Sequence, residues 1–524
     1  MWPYPEVRTI ADITRYNARQ YPGKTALLFE DNEISMSELD KLTNRFANGL
    51  LASGIQAGDR VVFYGTNSDD FLIALLGAAK ACAVFVPLNW RLAPEELKFV
   101  LKDASPALAF VNAELTGGWE AGARLLPEMI PTQTVVPGAP DEDPFRRWLE
   151  EQSAEDPNRC CPLDDIAWIL YTSGTTGKPK GVEFMHSAIM LMRLCEHYEP
   201  AYTWSQDDIL LFVAPNFHLL GIGLTIQAFF NGATIAVVKA FDTKLVLREI
   251  EAKRPTILAV APVMIQMLLE EPDYTERDFS SIREVVYAGS AISIGLIKKA
   301  LTVMPCRFMQ FYGSTESGGA LTLLRPEEHD LSNELRLTSC GKPLPLIDIK
   351  VMNAQGEELP EGEPGEMWVR VPSIARGYRN QPEVWAEVFY QGWFKTGDIA
   401  YRDADQFLYI VDRAKDMIVT GGENVYCSEV ENCLSLHKAV QRVAVIGVPS
   451  ERWGEEVKAC VVLNAGFDGD VIASELIAYA KSHLASYKCP KSVDFYNELP
   501  LGGTGKVLKR QLRERYWEGQ LRTV

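Results

Sequence analysis

The chain has 524 residues, 47% hydrophobic and 23% charged, which fits about three or four core-forming units and excludes wholesale disorder, collagen-like and coiled-coil architectures. A net charge of −18, from 52 Lys and Arg against 70 Asp and Glu, excludes a protein that coats nucleic acid by charge alone. From Asp416 onward there are 14 acidic and 13 basic residues, so the excess acid lies earlier and an anionic substrate needs locally placed donors.

In chain order, residues 26–30 predict a strand and Asp31-Asn32 a turn. Ser37 with Asp40 has the spacing of a capping box before a helix to about Gly54. Strand patterns at 60–64, 84–88 and 107–111 alternate with helix patterns at 69–81 and 94–102, the mark of an α/β architecture with largely parallel sheets. Residues 137–162, rich in Pro, Asp and Glu, predict a surface excursion. Strands at 399–402 and 407–411 flank Asp403-Ala404-Asp405-Gln406 as a hairpin, and a polar linker follows at 412–416. Beyond it, strands at 442–448 and 458–463 with helices at 474–483 and 506–517 suffice for a small α+β domain. The ten cysteines contain no C-x-x-C and read as reduced thiols. No targeting pattern opens the chain, and the longest apolar run, 256–269, is too short for a membrane span of about 20 residues. The expectation is a soluble, cytoplasmic protein.

The strongest local signal is Tyr171-Thr172-Ser173-Gly174-Thr175-Thr176-Gly177-Lys178-Pro179-Lys180-Gly181, which follows an apolar strand at 166–170. Consecutive hydroxyl and glycine positions let backbone N–H groups converge on phosphate oxygens, and Lys178 and Lys180 add charge. Pro179 stands where a Walker A loop would have its magnesium-binding Ser or Thr, so this is another kind of phosphate loop. Tyr312-Gly313-Ser314-Thr315-Glu316 sets an aromatic face, two hydroxyls and a hard carboxylate ligand within five residues. Asp398, in Thr396-Gly397-Asp398, offers two acceptor oxygens to a diol. Lys506 follows Gly502-Gly503-Thr504-Gly505, a loop flexible enough to deliver an ammonium to a transition state and withdraw it. No G-x-S-x-G or H-E-x-x-H motif occurs.

The loop at 171–181 resembles the signature of the acyl-adenylate-forming superfamily, of the acyl-CoA synthetase type. Further blocks follow in that family's order: Pro215-Asn216-Phe217-His218, Ala288-Gly289-Ser290-Ala291, Tyr312–Glu316, Thr396–Asp398, Asp412-Arg413, Gly421-Gly422-Glu423-Asn424 and Thr504-Gly505-Lys506. The resemblance implies an α/β N-terminal adenylation domain of packed sheet subdomains (1–412), a hinge (413–416) at Lys415, and a small mobile α+β C-terminal domain (417–524). It implies ATP held by Thr172, Ser173, Gly174, Thr175, Thr176, Gly177 and Lys180, by Gly289, Ser290 and Ala291, and by Phe311, Tyr312, Gly313, Ser314 and Thr315, with Asp398 and Arg413 at the ribose. Magnesium falls to Thr172 and Glu316, catalysis to Lys506 and His218, and coenzyme A to Gly421, Gly422 and Glu423.

By the same resemblance the acyl pocket falls to Phe217, His218, Gly223 and Gly313. Glycine at 313 implies an open pocket, and Phe217, Leu219, Leu220, Ile222 and Gly223 an apolar wall. The expected function is an ATP-dependent acid–CoA ligase for a medium- or long-chain aliphatic or an aryl acid. The alternative is transfer of the activated group to an amine or a carrier protein. Partners are the acid, ATP and coenzyme A, with no nucleic acid, no transmembrane segment and a homodimer left open.

Overall fold

Unbroken apolar runs such as Val84–Leu88 and Ile257–Val260 are buried along their whole length, as parallel strands covered on both faces must be. A computed structural model of the chain describes residues 6–138, 143–172, 179–304, 306–413, 416–420, 423–450, 452–467, 469–502 and 506–518.

Among these residues the first sheet has nine strands. Its core runs Arg307–Ser314, Glu284–Ala288, Ile257–Val260, Ile209–Phe212, Thr234–Val237 and Thr25–Phe29, all parallel. Antiparallel strands complete both sides, Gly319–Leu324 and then Lys342–Pro343 on one and Asn32–Ser35 on the other. A second, seven-stranded sheet centres on Ile166–Thr172, Val84–Leu88, Arg60–Tyr64 and Leu108–Asn112. A third, antiparallel sheet contains Gly365–Arg370, Trp393–Arg402 and Leu408–Arg413. The fourth is built wholly from residues after Arg413, around the long pair Val440–Ser450 and Gly454–Leu463, and belongs to a small C-terminal domain. The α/β class and the small α+β partner match the expectation. No described helix is long and apolar enough to cross a membrane.

Four local expectations are corrected. The helix Met36–Ala52 is capped by Ser35, whose hydroxyl accepts from Glu38 N–H, and not by Ser37. The region 137–162 is more than a surface excursion: it contains the helix Pro144–Glu150, whose Phe145 and Leu149 are buried and whose Asp143 caps Phe145 N–H. The last helix begins at Lys509, so Lys506 precedes it. Cys82 and Cys161, 79 residues apart in sequence, form a disulfide, so the ten cysteines are not all thiols. No spacing rule links two cysteines that only the packing of the second sheet brings together.

Candidate functional site

In an open parallel sheet, ligands gather beyond the carboxyl ends of the strands. Ala288, the last residue of its strand, pairs with Phe311, so the loop Gly289–Ala291 lies beside Tyr312. Gly289 has φ +93°, a left-handed conformation, and a Cβ there would meet nothing within 4 Å; the strand end is open. Tyr312 donates from its hydroxyl to Asp398 Oδ2 at 2.6 Å. Arg413, paired across the strands with Asp398, sets its Nε 3.2 Å from Oδ1. Asp398 is buried and tethered at both oxygens, with lone pairs left for further donors. Burial, and then Asp398, push the Tyr312 phenol well above its ordinary pKa, so it remains a donor.

The second sheet meets this cluster through Tyr378. Lys180 pairs with Thr172 across the strands that flank the phosphate loop, and its ammonium lies 4.7 Å from the centre of the Tyr378 ring. The Tyr378 hydroxyl donates to Glu316 Oε1 at 2.7 Å. The two residues expected to share magnesium are thereby joined by a continuous chain: Thr172, Lys180, Tyr378, Glu316. Tyr378, far from either motif, was missed by sequence reasoning. Its position next to Gly377, which pairs with Glu183, carries no signal of its own. Thr172 and Glu316 are hard oxygen donors, suited to a magnesium ion that keeps water and phosphate ligands. Among the described residues no group of three or more acidic, His or Cys side chains is placed to hold a metal ion by itself. Ser173, Gly174, Thr175, Thr176 and Gly177 lie outside the described residues.

Asn216, within Pro215–His218, is buried and donates to the Gly65 and Thr66 carbonyls at 3.1 and 3.0 Å. Asn67 reciprocates: its Oδ1 accepts from Asn216 N–H, and its amide donates to the Ala214 and Val238 carbonyls, each bond 3.0 Å. These two amides clasp the first sheet to the second and fix where His218 stands. His218 opens the helix Leu219–Phe230, with its ring 4.6 Å from that of Phe217. Burial, aided by the nearby Arg91 charge, lowers its pKa to about 4. The imidazole is neutral near pH 7, and its Nε2 is buried with no hydrogen-bond partner among the described residues.

The residues of the expected acyl wall adjoin one buried charged side chain. Phe217 and Ile222 are buried, but the Gly223 carbonyl accepts from Arg193 Nη1 at 3.1 Å, and Arg193 is itself buried. At Gly313 a Cβ would press into the Gly319 carbonyl, backbone of the adjoining strand. A side chain at 313 therefore has to displace that strand before it can fill a pocket.

Leu501 and Gly502 line one cleft with Asn67, Arg91, Pro215 and Lys239. Gly502 N–H donates to the Lys506 carbonyl at 2.7 Å, and residues 503–505 lie outside the described residues. Gly421, Gly422 and Lys415 lie outside the described residues. Glu423 is exposed on the edge strand Glu423–Val425 of the fourth sheet, a different sheet from that of Tyr312.

Residues 14–379 match the model of the AMP-binding enzyme family, and residues 429–506 that of the AMP-binding enzyme C-terminal domain. The chain belongs to the AMP-binding enzyme family. The chain is 35% identical to a fatty acid–[acyl-carrier-protein] ligase, ScoC, of Streptomyces coeruleorubidus, over 99% of both chains. It is 37% identical to a feruloyl-CoA synthase of an Amycolatopsis species, over 95% of this chain and 97% of the relative. The ATP-bound crystal structure of MatB from Rhodopseudomonas palustris superposes with a TM-score of 0.86 at 28% identity, covering 97% of this chain and 99% of that one. Family membership makes the chain an enzyme of the adenylate-forming acid–thiol ligase type, and the ATP-bound relative supports ATP as its nucleotide.

Proposed function

We propose that the protein activates a carboxylic acid, aliphatic of medium to long chain or aryl, with ATP and transfers the acyl group to the thiol of coenzyme A. The tethered Tyr312–Asp398–Arg413 chain beside the open Gly289 loop carries the reading: an aromatic face, a carboxylate and a guanidinium at a strand end fit adenosine. The substrate carboxylate oxygen attacks the α-phosphorus, the bond to pyrophosphate breaks, and acyl-AMP remains. The thiol sulfur then attacks the acyl carbon, and AMP leaves with the bonding electrons.

In this reading Asp398 and Arg413 hold the ribose, Ser314 and Thr315 the α-phosphate, and Thr172 and Glu316 the magnesium. Bound there by Thr172 and Glu316, such an ion would supply positive charge against the phosphate oxygens. Lys506 supplies an ammonium to the pentacoordinate transition state. A neutral His218 offers one N–H to the substrate carboxylate. The domains are an adenylation domain to Asp412, a hinge at 413–416, and a C-terminal domain that alternates between the two half-reactions. Asp412 anchors that joint by accepting from Cys427 N–H, at the start of the helix Cys427–Ser435, at 2.6 Å.

A second acceptor has specific support, since the relative ScoC is a carrier-protein ligase. The test is a panel of acids assayed for pyrophosphate release, then for product with coenzyme A and with a phosphopantetheinyl carrier protein. Thioester formation with coenzyme A at a far higher kcat/KM supports the proposal; thioester on the carrier protein alone replaces it with the second reading.

A further inference from the structure

The segment 373–379 straps the first sheet to the second beside Glu316. On one side the Ser373 hydroxyl donates to the Ser317 carbonyl at 2.7 Å, and Ala375 N–H to the Glu316 carbonyl at 2.9 Å. On the other, Arg376 N–H donates to the Glu183 carbonyl at 2.9 Å and Arg379 N–H to the Gly181 carbonyl at 2.7 Å. Both acceptors belong to the strand Lys180–Met185, which leaves the phosphate loop. Tyr378 lies within the strap and pairs with Val182 of that strand. Its ring is buried, with the Lys180 ammonium 4.7 Å from its centre and the Trp385 ring in T-shaped contact at 5.2 Å. A phenol gripped in this way cannot follow a flexible glutamate; the glutamate has to come to it.

The Tyr378 hydroxyl takes Glu316 Oε1 at 2.7 Å, and Oε2 has no hydrogen-bond partner among the described residues. Glu183, on the same strap, is paired with Arg379 at 3.2 Å, whereas Glu316 forms no ion pair among the described residues. Its charge is left for a cation. An oxygen that already accepts a proton is the weaker donor to a metal, so ligation falls to Oε2. Two cations of equal charge read that difference. Magnesium demands near-ideal octahedral geometry at about 2.0–2.1 Å, which the narrow angle between two oxygens of one carboxylate fits badly. Calcium accepts about six to eight oxygens at about 2.3–2.6 Å and readily takes a carboxylate through both.

Resting on the magnesium reading above, we propose that Tyr378 is a positioning residue for Glu316. By holding Oε1 it leaves Oε2 to ligate singly, and the site thereby prefers magnesium to calcium. The strap gives the hydroxyl its fixed place, because its backbone is bonded to Glu316 itself and to the strand that carries Lys180. A ligating carboxylate oriented by such a partner holds its ion more tightly than one left free to turn.

The test uses manganese as a probe, read by electron paramagnetic resonance on the full chain. The nucleotide is an ATP analogue with a methylene bridge between the α- and β-phosphorus, so no turnover enters the measurement. Displacement of manganese by magnesium and by calcium gives both affinities. In Tyr378→Phe, which keeps the ring and its Lys180 and Trp385 contacts, magnesium affinity should fall at least about tenfold and calcium affinity at most about twofold. A fall of both by the same factor, as a merely structural loss would give, overturns the inference, and so does a fall of neither. A second measurement needs no variant at 378. Infrared difference spectra of the wild-type magnesium complex, with Glu316→Gln identifying the band, should show the wide carboxylate splitting of one-oxygen ligation; the narrow splitting of two-oxygen ligation overturns it. Manganese bound with unchanged affinity by Glu316→Gln would defeat the magnesium reading itself, a separately recognisable result.

Discussion

Asn216→Ala probes how the acyl-side loop is held. The substitution removes two donors and leaves the Gly65 and Thr66 carbonyls without their partner in a buried site where Asn216 is 1% exposed. A buried acceptor stripped of its bond costs about 1–3 kcal/mol, so the pair of losses sums to about 2–6 kcal/mol of N-terminal domain stability. Activity should fall further than stability explains. The loop supports His218 and Phe217, and a misplacement of about 1 Å near a reacting centre costs on the order of 100-fold. The assays are the urea midpoint of the N-terminal domain and pyrophosphate release under conditions where the variant is folded. A double-mutant cycle with Asn67→Ala refines the test, because both side chains hold the same loop, Asn67 Oδ1 accepting from the backbone N–H that Asn216→Ala leaves in place. An Asn216→Ala enzyme with an unchanged midpoint and normal release would refute the clasp.

Other outcomes follow from the same geometry. Lys506→Ala should suppress adenylation by several orders of magnitude yet spare thioester formation from supplied acyl-AMP; near-normal pyrophosphate release would remove Lys506 from that role. Glu316→Gln should weaken magnesium and slow adenylation, and an unchanged magnesium dependence would mean that the ion is held elsewhere. Gly313→Ala and Gly313→Trp should both lower stability and lose activity on every acid, because the new Cβ meets the Gly319 backbone; a stable Gly313→Trp enzyme that prefers acetate would show that the strand yields. His186, His218 and His329 are buried with pKa values lowered to about 4, chiefly by desolvation. Between pH 6.5 and 4 the unfolded chain therefore binds more protons than the folded one, so stability present above 6.5 is lost as pH falls, by up to about 3 kcal/mol per histidine. His186→Gln should flatten the fall in urea midpoint between pH 7 and pH 5, and an unaltered slope would contradict the assignment.

What the sequence makes legible, and what it hides, follows from the range over which each signal acts. Arg60–Tyr64 and Val84–Leu88 are predicted to the residue because an apolar strand buried on both faces needs no information beyond its own side chains. Tyr312 and Glu316 are legible for a similar reason: strand, turn and ligand lie within five residues. The cap of the first long helix shows the limit of local rules. Ser35 and Ser37 both offer hydroxyls at capping spacing, and tertiary packing decides, because Met36 is buried in the first turn. The sequence motif points Asp398 to ribose, yet what orients it is Tyr312, 86 residues earlier, and that distance carries no periodic trace.

The deepest omission is Arg193 with Glu196, a hydrogen-bonded pair in which each side chain is 5% exposed or less. On a helix, a charged pair three residues apart reads as a solvated face, since solvation is where most such pairs belong. Only the fold reveals that this face turns inward against Gly223. Apolar periodicity specifies where a core forms, but it treats every polar residue as surface. A polar group that stays buried at a cost in stability therefore sits where a sequence-based pattern is silent.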